Sequence, residues 1–250
     1  MRLDSYLLEK GIFESRNKAA NAVSRGEITV NGKTVYKNSY SLREGDEVKR
    51  IDCETFVSEG GFKLNKALSD FGFDVSGLIA ADVGASTGGF TDVLLKKGAK
   101  KVYAVDLNDG LLHYSLKENE KVVSIVKNAK DLKREDFGEE IDLITADLSF
   151  ISETVILPVL KKIIKKDGYL IILIKPQFET GEKRRYKNGI IKDGRVIKNA
   201  ILKVLGSAVD CGLSPVNITS APKKEDKNRE FLALLFNGEE PRVDFSSFFE

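Results

Sequence analysis

Tryptophan is absent from this chain, and histidine, methionine and cysteine are nearly so: 250 residues hold one His, one Met and two Cys. Cys53 and Cys211 stand far apart, which makes neither a disulfide framework nor a thiolate metal cluster and suits a reducing compartment. With His113 as its single histidine, the chain cannot build a multi-histidine centre, so no metal is expected. A Ser-His-Asp triad would have to use that same residue, which sits in an ordinary helical stretch. Acid–base chemistry therefore falls to Lys, Asp and Glu. Long apolar runs are missing as well. The longest, Tyr169 to Ile174, reads as a buried strand and falls well short of the roughly 20 residues a membrane span needs. The start, Met1-Arg2-Leu3-Asp4-Ser5-Tyr6, lacks a signal-peptide pattern, so a cytoplasmic protein without a membrane partner is expected. Nor does one sign of charge dominate. Lys+Arg number 40 against 38 Asp+Glu, a net charge of +2, and binding surfaces must be sought locally.

What is present falls into two parts, because 250 residues exceed one typical domain of roughly 100–150. Residues 1–58 read as a small α+β domain. Leu3, Leu7 and Leu8 share a helical face that Gly11 ends. Ser15 is a natural N-cap for a second helix carrying Ala19, Ala20 and Val23 and ending at Gly26. Ile28 and Val30 alternate before an Asn31-Gly32 hairpin turn, and Glu47 to Ile51 reads as a further strand. Cys53 to Ser58 reads as a linker with Phe56 and Val57 available to pack. From residue 59 to 250, strand and helix signals alternate. Strands are expected at 78–83, 101–105, 122–126, 141–146, 168–174, 215–220 and 230–236. Helices are expected near 64–71, 91–97, 111–117, 156–165 and 196–211. Such alternation predicts a doubly wound, largely parallel α/β sheet, with the last strand antiparallel to its neighbour.

One stretch organises the second part. The apolar run Leu78-Ile79-Ala80-Ala81 leads through Asp82-Val83 into Gly84-Ala85-Ser86-Thr87-Gly88-Gly89, and Phe90-Thr91-Asp92-Val93-Leu94-Leu95 opens a helix. Strand, glycine turn and helix start form a nucleotide-type corner, with helix N–H groups available to a ligand. A dinucleotide fingerprint wants a glycine where Ser86 stands, and a P-loop wants Gly-Lys-Ser/Thr, which is missing. Asp82 would repel a pyrophosphate and suits a ligand with a cationic end. S-adenosylmethionine, with its ammonium, sulfonium and carboxylate, meets that description.

Ligands of such sheets bind beyond the carboxyl ends of the strands, and polar residues at those ends are the candidates. They are Asp82, Asp106, Asp147 and Lys175. Asp106 follows the glycine turn by some twenty residues, the place where a carboxylate meets a ribose diol. Lys175 ends a very apolar strand just before Pro176, a costly position for an unpaired cation.

Two resemblances join these readings. Arg2-Leu3-Asp4, Leu7, Gly11, Ser15-Arg16, Ala19, Gly26 and Val30-Asn31-Gly32 resemble the S4 RNA-binding domain. This implies that the helix pair, with Arg2, Arg16, Lys18 and Arg25, docks on structured RNA. Composition alone does not announce this, since residues 1–58 hold ten basic and nine acidic side chains. The second part resembles the hemolysin-A-type (TlyA) family of ribosomal RNA 2'-O-methyltransferases, relatives of the FtsJ/RrmJ enzymes. The matching motifs, in order, are Gly60-Gly61-Phe62-Lys63-Leu64, Gly84 to Asp92, Val102 to Asp106, Asp147-Leu148-Ser149-Phe150-Ile151, Ile174 to Glu179 and Asn228-x-Glu230-Phe231-Leu232. The resemblance implies a Rossmann-like methyltransferase sheet, S-adenosylmethionine as donor, and a cytidine ribose of 16S and/or 23S ribosomal RNA as acceptor. It further implies a catalytic set of Lys63, Asp147, Lys175 and Glu230. Cofactor contacts are then expected from Asp82, Gly84, Ser86, Thr87, Gly88, Gly89, Phe90, Asp106, Leu107, Asn128 and Asp147. The chain departs from the family pattern at Asp109-Gly110-Leu111, Asn128-Ala129-Lys130 and Lys223 to Lys227.

A basic stretch agrees with an RNA partner. Residues 161–203 hold thirteen Lys+Arg against four Asp+Glu, and Lys183, Arg184, Arg185 and Lys187 cluster in a loop after the lysine strand. Whether Lys175 takes the hydroxyl proton or stabilises the alkoxide stays open at this point. The expected partners are ribosomal RNA and ribosomal subunits, and a monomer is expected. Two other functions compete: an RNA-binding ribosome-assembly factor with a degenerate methyltransferase fold and, last, a cytolysin.

Overall fold

The computed structural model describes all residues except 25, 36, 52–55, 182–188, 223–226 and 240–250. The chain divides into two units, Met1–Thr55 and Phe56–Glu250.

In the first unit, helices α1 (Leu3–Glu9) and α2 (Arg16–Ser24) accompany strands β1 (Ile28–Val30), β2 (Lys33–Thr34) and β3 (Val48–Arg50). The sheet order is β2-β1-β3, with both pairings antiparallel. Leu3 and Leu7, four residues apart on α1, meet Ala19, Val23, Ile28 and Val30 in a small core. The turn between β1 and β2 falls at Asn31-Gly32, both at positive φ, as the hairpin signal requires.

The second unit opens with α3 (Glu59–Phe71) and continues through β4 (Ile79–Val83), α4 (Gly89–Lys96), β5 (Lys101–Asp106), α5 (Tyr114–Lys117), β6 (Val122–Val126) and β7 (Ile141–Ala146). It is completed by α6 (Glu153–Ile163), β8 (Ile164–Ile174), α7 (Pro176–Glu179), α8 (Gly194–Asp210), β9 (Ser214–Ser220) and β10 (Phe231–Phe236). One seven-stranded sheet runs β6-β5-β4-β7-β8-β10-β9. Strands β4 to β8 pair in parallel, and β10 is antiparallel to both β8 and β9. Successive strand residues point to opposite faces, so pairs such as Ala80/Ala81, Leu143/Ile144 and Ile171/Ile172 split between two cores. Helices α3 and α4 cover one face with Leu64, Leu68, Val93 and Leu94. Helices α6 and α8 cover the other with Ile156, Leu160, Ile201 and Val204. The chain leaves β4 toward β5 on one side, while β7 lies on β4's other side. This makes a switch point between β4 and β7, where such sheets open a crevice.

Two local expectations are corrected. The helix expected at 156–165 ends at Ile163, because β8 begins at Ile164 and pairs Ile164 with Ile141. The helix expected at 111–117 shrinks to Tyr114–Lys117 behind a short 3-10 turn at Asp109–Leu111, and the His113 side chain accepts from the Ser115 N–H to cap it. Phe56 and Val57, expected to be available to pack from the linker, pack within the second unit. The Phe56 ring meets Phe62 edge-on at 5.1 Å, and the Val57 N–H donates to Asp92 at 2.9 Å.

Candidate active site

The glycine turn after β4 is tied to β5. The Gly84 and Ala85 N–H groups donate to the Val105 carbonyl at 2.8 and 3.0 Å, and the Ser86 N–H donates to Asp106 at 2.8 Å. These donors therefore serve the turn itself, and the start of α4 at Gly89 is what remains to face an anionic ligand group. Gly84 is at φ +87, and a Cβ there would fall 2.7 Å from the Asp147 carbonyl oxygen, so only glycine lets the turn lie against the end of β7. Gly89 plays the same part toward α3: a Cβ would come within 2.9 Å of the Gly61 nitrogen. That close crossing lays the first turn of α3, which carries Lys63, beside the glycine turn. Asp106 is partly exposed at the end of β5, and its other oxygen accepts from the Leu107 N–H at 2.7 Å. Ser86, Thr87 and Leu107 are exposed. Asn128 is exposed too, and its side chain accepts from the Lys130 N–H to cap a 3-10 turn.

One of the expected cofactor contacts is corrected. Asp82 is fully buried and presents no oxygen to a cationic ligand. One oxygen accepts from the Thr91 N–H and hydroxyl at 2.9 and 2.7 Å, and the other from the Thr145 hydroxyl at 3.0 Å. It fastens the first turn of α4 to β7. Burial pushes this carboxyl up to about 6, against the pull of the Thr91 and Thr145 hydroxyls. The Phe90 ring is buried in the core on the α3 side of the sheet, and the residue also borders the cleft beside the glycine turn.

The strand ends and two flanking elements bring four charged side chains together. Lys175 Nζ lies 2.5 Å from Asp147 Oδ1 and donates to the Ser149 hydroxyl at 2.9 Å. Lys63 Nζ lies 2.7 Å from Glu230 Oε2 and 4.0 Å from Asp147 Oδ2. Glu230 precedes β10, and because β10 is antiparallel to β8, with Phe231 opposite Ile174, its first residue comes to the same sheet edge as the last residue of β8. The result is one chain of ion pairs, Glu230–Lys63–Asp147–Lys175. Lys175 is the most buried member, its side chain 8 % exposed, where the other three are about a fifth exposed. Burial of an ammonium on this scale needs an opposite charge in contact, and Asp147 provides it. A cleft bordered by Lys63, Gly84, Ser86, Asp147, Ser149 and Lys175 joins the glycine turn to this set.

Comparison with known proteins agrees with this geometry. The FtsJ-like methyltransferase family model matches residues 56–237, and the S4 domain model matches residues 1–48. Hemolysin A of Brachyspira hyodysenteriae is 43% identical over 240 residues, 93% of this chain and 98% of that protein. The 16S/23S rRNA (cytidine-2'-O)-methyltransferase TlyA of Mycobacterium tuberculosis is 35% identical, covering 88% of this chain and 84% of its own length. The chain belongs to the FtsJ-like methyltransferases, in the hemolysin A/TlyA group. A solved Streptococcus thermophilus structure described as a hemolysin is 36% identical, with a TM-score of 0.74, and the match covers 100% of this chain and 92% of that one.

Two members of this site escaped the sequence. Ser149 was passed over inside the motif that carries Asp147, although its hydroxyl receives a Lys175 hydrogen bond. Ser58, the residue before α3, borders the cleft. In the S4-type unit, the expected RNA contacts Arg2 and Arg16 both pair with the buried Asp4, at 2.8 and 3.2 Å, while half of each side chain stays exposed. The Arg2 guanidinium, and then Arg16, hold the Asp4 carboxyl well below the usual carboxylate range. Lys18 is exposed and pairs with Glu14. Arg25 and the cluster Lys183, Arg184, Arg185 and Lys187 lie outside the described residues. Among the described residues no cluster of His, Cys, Asp and Glu could hold a metal ion, and no helix is long and apolar enough to cross a membrane.

Proposed function

We propose that this chain transfers a methyl group from S-adenosylmethionine to the 2'-hydroxyl of a cytidine ribose in ribosomal RNA. The observation that carries the reading is the connected set Glu230–Lys63–Asp147–Lys175 beside the glycine turn. The name of the Mycobacterium tuberculosis relative supplies the acceptor, a cytidine 2'-oxygen of 16S and 23S rRNA. S-adenosylmethionine fits the residues present. Asp106 stands where a ribose diol would meet a carboxylate, and Gly84 lets the turn pack against the end of β7 beside the cleft. Gly88, Gly89, Ser86, Thr87, Leu107 and Asn128 complete the holding set.

When bound, S-adenosylmethionine supplies an electrophilic methyl group. The protein's task is to place a ribose oxygen in line with it and to dispose of a proton. An ammonium has three donors, and Asp147 and Ser149 take two from Lys175. A third can meet the 2'-oxygen, orienting it and stabilising the charge that develops during attack. For the proton to leave, Lys175 first yields one proton to Asp147, and the neutral amine that results takes the hydroxyl proton as the oxygen attacks, leaving an ammonium beside a protonated Asp147. Lys63 and Glu230 hold Asp147 and the substrate side of the cleft in place. The S4-type unit supports a structured RNA partner and agrees with action on ribosomal subunits in the cytoplasm.

The test is incubation of ribosomal subunits and of naked ribosomal RNA with labelled methyl donor, followed by mapping of the product, for wild type and Lys175→Ala. Methylated cytidine ribose from wild type alone is expected. If no substrate yields a methylated ribose, the proposal fails, and tight RNA binding without cofactor affinity would leave an assembly factor.

A further inference from the structure

Two buried glutamates behind Lys175 take no part in the chemistry above. Lys175 precedes α7, while Asp147 and Ser149 lie on the segment between β7 and α6. Their contacts with Lys175 therefore join two separate chain segments. A second fastening joins the same segments a few residues further on. The Glu179 carboxylate accepts from the Glu153 N–H at 2.9 Å and from the Ser152 hydroxyl. It thus sits on the N-terminus of α6, where negative charge is favoured. Lys203 of α8 donates to the Glu179 carbonyl at 2.8 Å and fixes the backbone from the other side.

Glu153 is the anomalous member. Its side chain is 2 % exposed and its Oε2 has no hydrogen-bond partner. An ionised carboxylate in that position, beside another one, would be both desolvated and repelled. A protonated carboxyl escapes both penalties. Burial first, then the Glu179 charge, push Glu153 well above the ordinary carboxyl range. Lys175 opposes this and Asp147 adds to it. Among the described residues these three charged groups face it, and Lys203 reaches only the Glu179 carbonyl.

We propose that Glu153, neutral beside the Glu179 carboxylate, forms with it a clasp that positions Lys175 against Asp147 and Ser149. The proposal rests on the methyltransferase reading. Both glutamates are positioning residues, since neither borders the cleft. Ionisation of Glu153 leaves two carboxylates at one helix start. Their repulsion parts α6 from α7, and Lys175 loses its geometry.

The test uses the full-length chain as wild type, Glu153→Gln and Glu179→Gln. Single-turnover methyl transfer to ribosomal RNA, S-adenosylmethionine affinity and thermal unfolding are followed from about pH 6 to about 9. Wild type is expected to lose transfer rate reversibly on the alkaline side. Glu153→Gln, permanently neutral, is expected to move that loss upward by about one pH unit or more. Glu179→Gln is expected to slow transfer roughly 10- to 100-fold while cofactor affinity stays within about two-fold. A Glu153→Gln profile superimposable on wild type overturns the clasp, as does a Glu179→Gln variant with the wild-type rate. If Glu179→Gln does not fold, Glu153→Gln decides alone. If wild type transfers no methyl group, the methyltransferase reading is what has failed, and unfolding then judges the clasp. Its melting-temperature advantage over wild type must grow as pH rises, and a constant difference overturns it.

Discussion

Lys175 and Asp82 show how the same signal, a charged residue at the end of an apolar strand, can lead to two different places. Lys175 stands one residue beyond β8 and reaches the cleft, whereas Asp82 precedes the last residue of β4 and turns inward onto Thr91 and Thr145. Truncating Lys175 to Ala is expected to lower kcat by about 10³-fold, with cofactor affinity little changed, as single-turnover rates and calorimetry can check. Ser149→Ala removes one hydrogen bond to that ammonium and should cost about ten-fold in kcat. For Asp82 the expectation concerns stability. Its folded value of about 6 lies above the ordinary 3.8, so its contribution is fully present below about pH 4 and is lost as pH rises to about 6. Asp82→Asn, which can still accept from Thr91 and donate to Thr145, should gain stability relative to wild type across that window and hold the gain above it. Thermal melts at a series of pH values would show a flat difference if the inference is wrong. Asp147 and Lys175 were legible in the sequence as polar residues closing strands. Lys63 and Glu230 have no such mark and were found through family resemblance alone. Ser149 was missed because a serine beside an aspartate announces nothing until a lysine 26 residues away is folded against it.

At the level of elements, the strands were the most legible part, because short continuous apolar runs bounded by turn signals suit strands buried on both faces. The boundaries that moved were set by contacts between distant segments. The Ile164–Ile141 pairing cut α6 short, and the turn Pro176–Glu179 exists because Glu179 is drawn to the start of α6. The glycine turn was found where expected, but its N–H groups are engaged by β5, a pairing that only the fold could supply. Gly84→Ala tests that turn. It forces a side chain into positive φ and against the Asp147 carbonyl, so a loss of about 1–3 kcal/mol is expected. The matching observations are a melting temperature lower by several degrees and weaker cofactor binding. An unchanged melt would mean the turn is looser than its geometry implies.

The whole molecule pairs a methyltransferase-type sheet with an S4-type unit whose basic side chains sit among acidic ones. RNA affinity is expected to fall steeply with salt, and Arg16→Ala should reduce the log–log slope by about one if that half-exposed guanidinium meets a phosphate. Anisotropy titrations at several salt concentrations decide it, and an unchanged slope removes Arg16 from the interface. The order of the sheet has a consequence for how the chain is made. Among the described residues strand β10 is the last to leave the ribosome, yet it is inserted between β8 and β9 and brings Glu230 with it. A nascent chain can assemble the glycine turn, Lys63, Asp147 and Lys175 while β9 has no neighbour. Only the final strand closes both the sheet and the ion-pair chain, so premature termination or C-terminal trimming into β10 yields a protein that is unfinished in its core and its chemistry at the same moment.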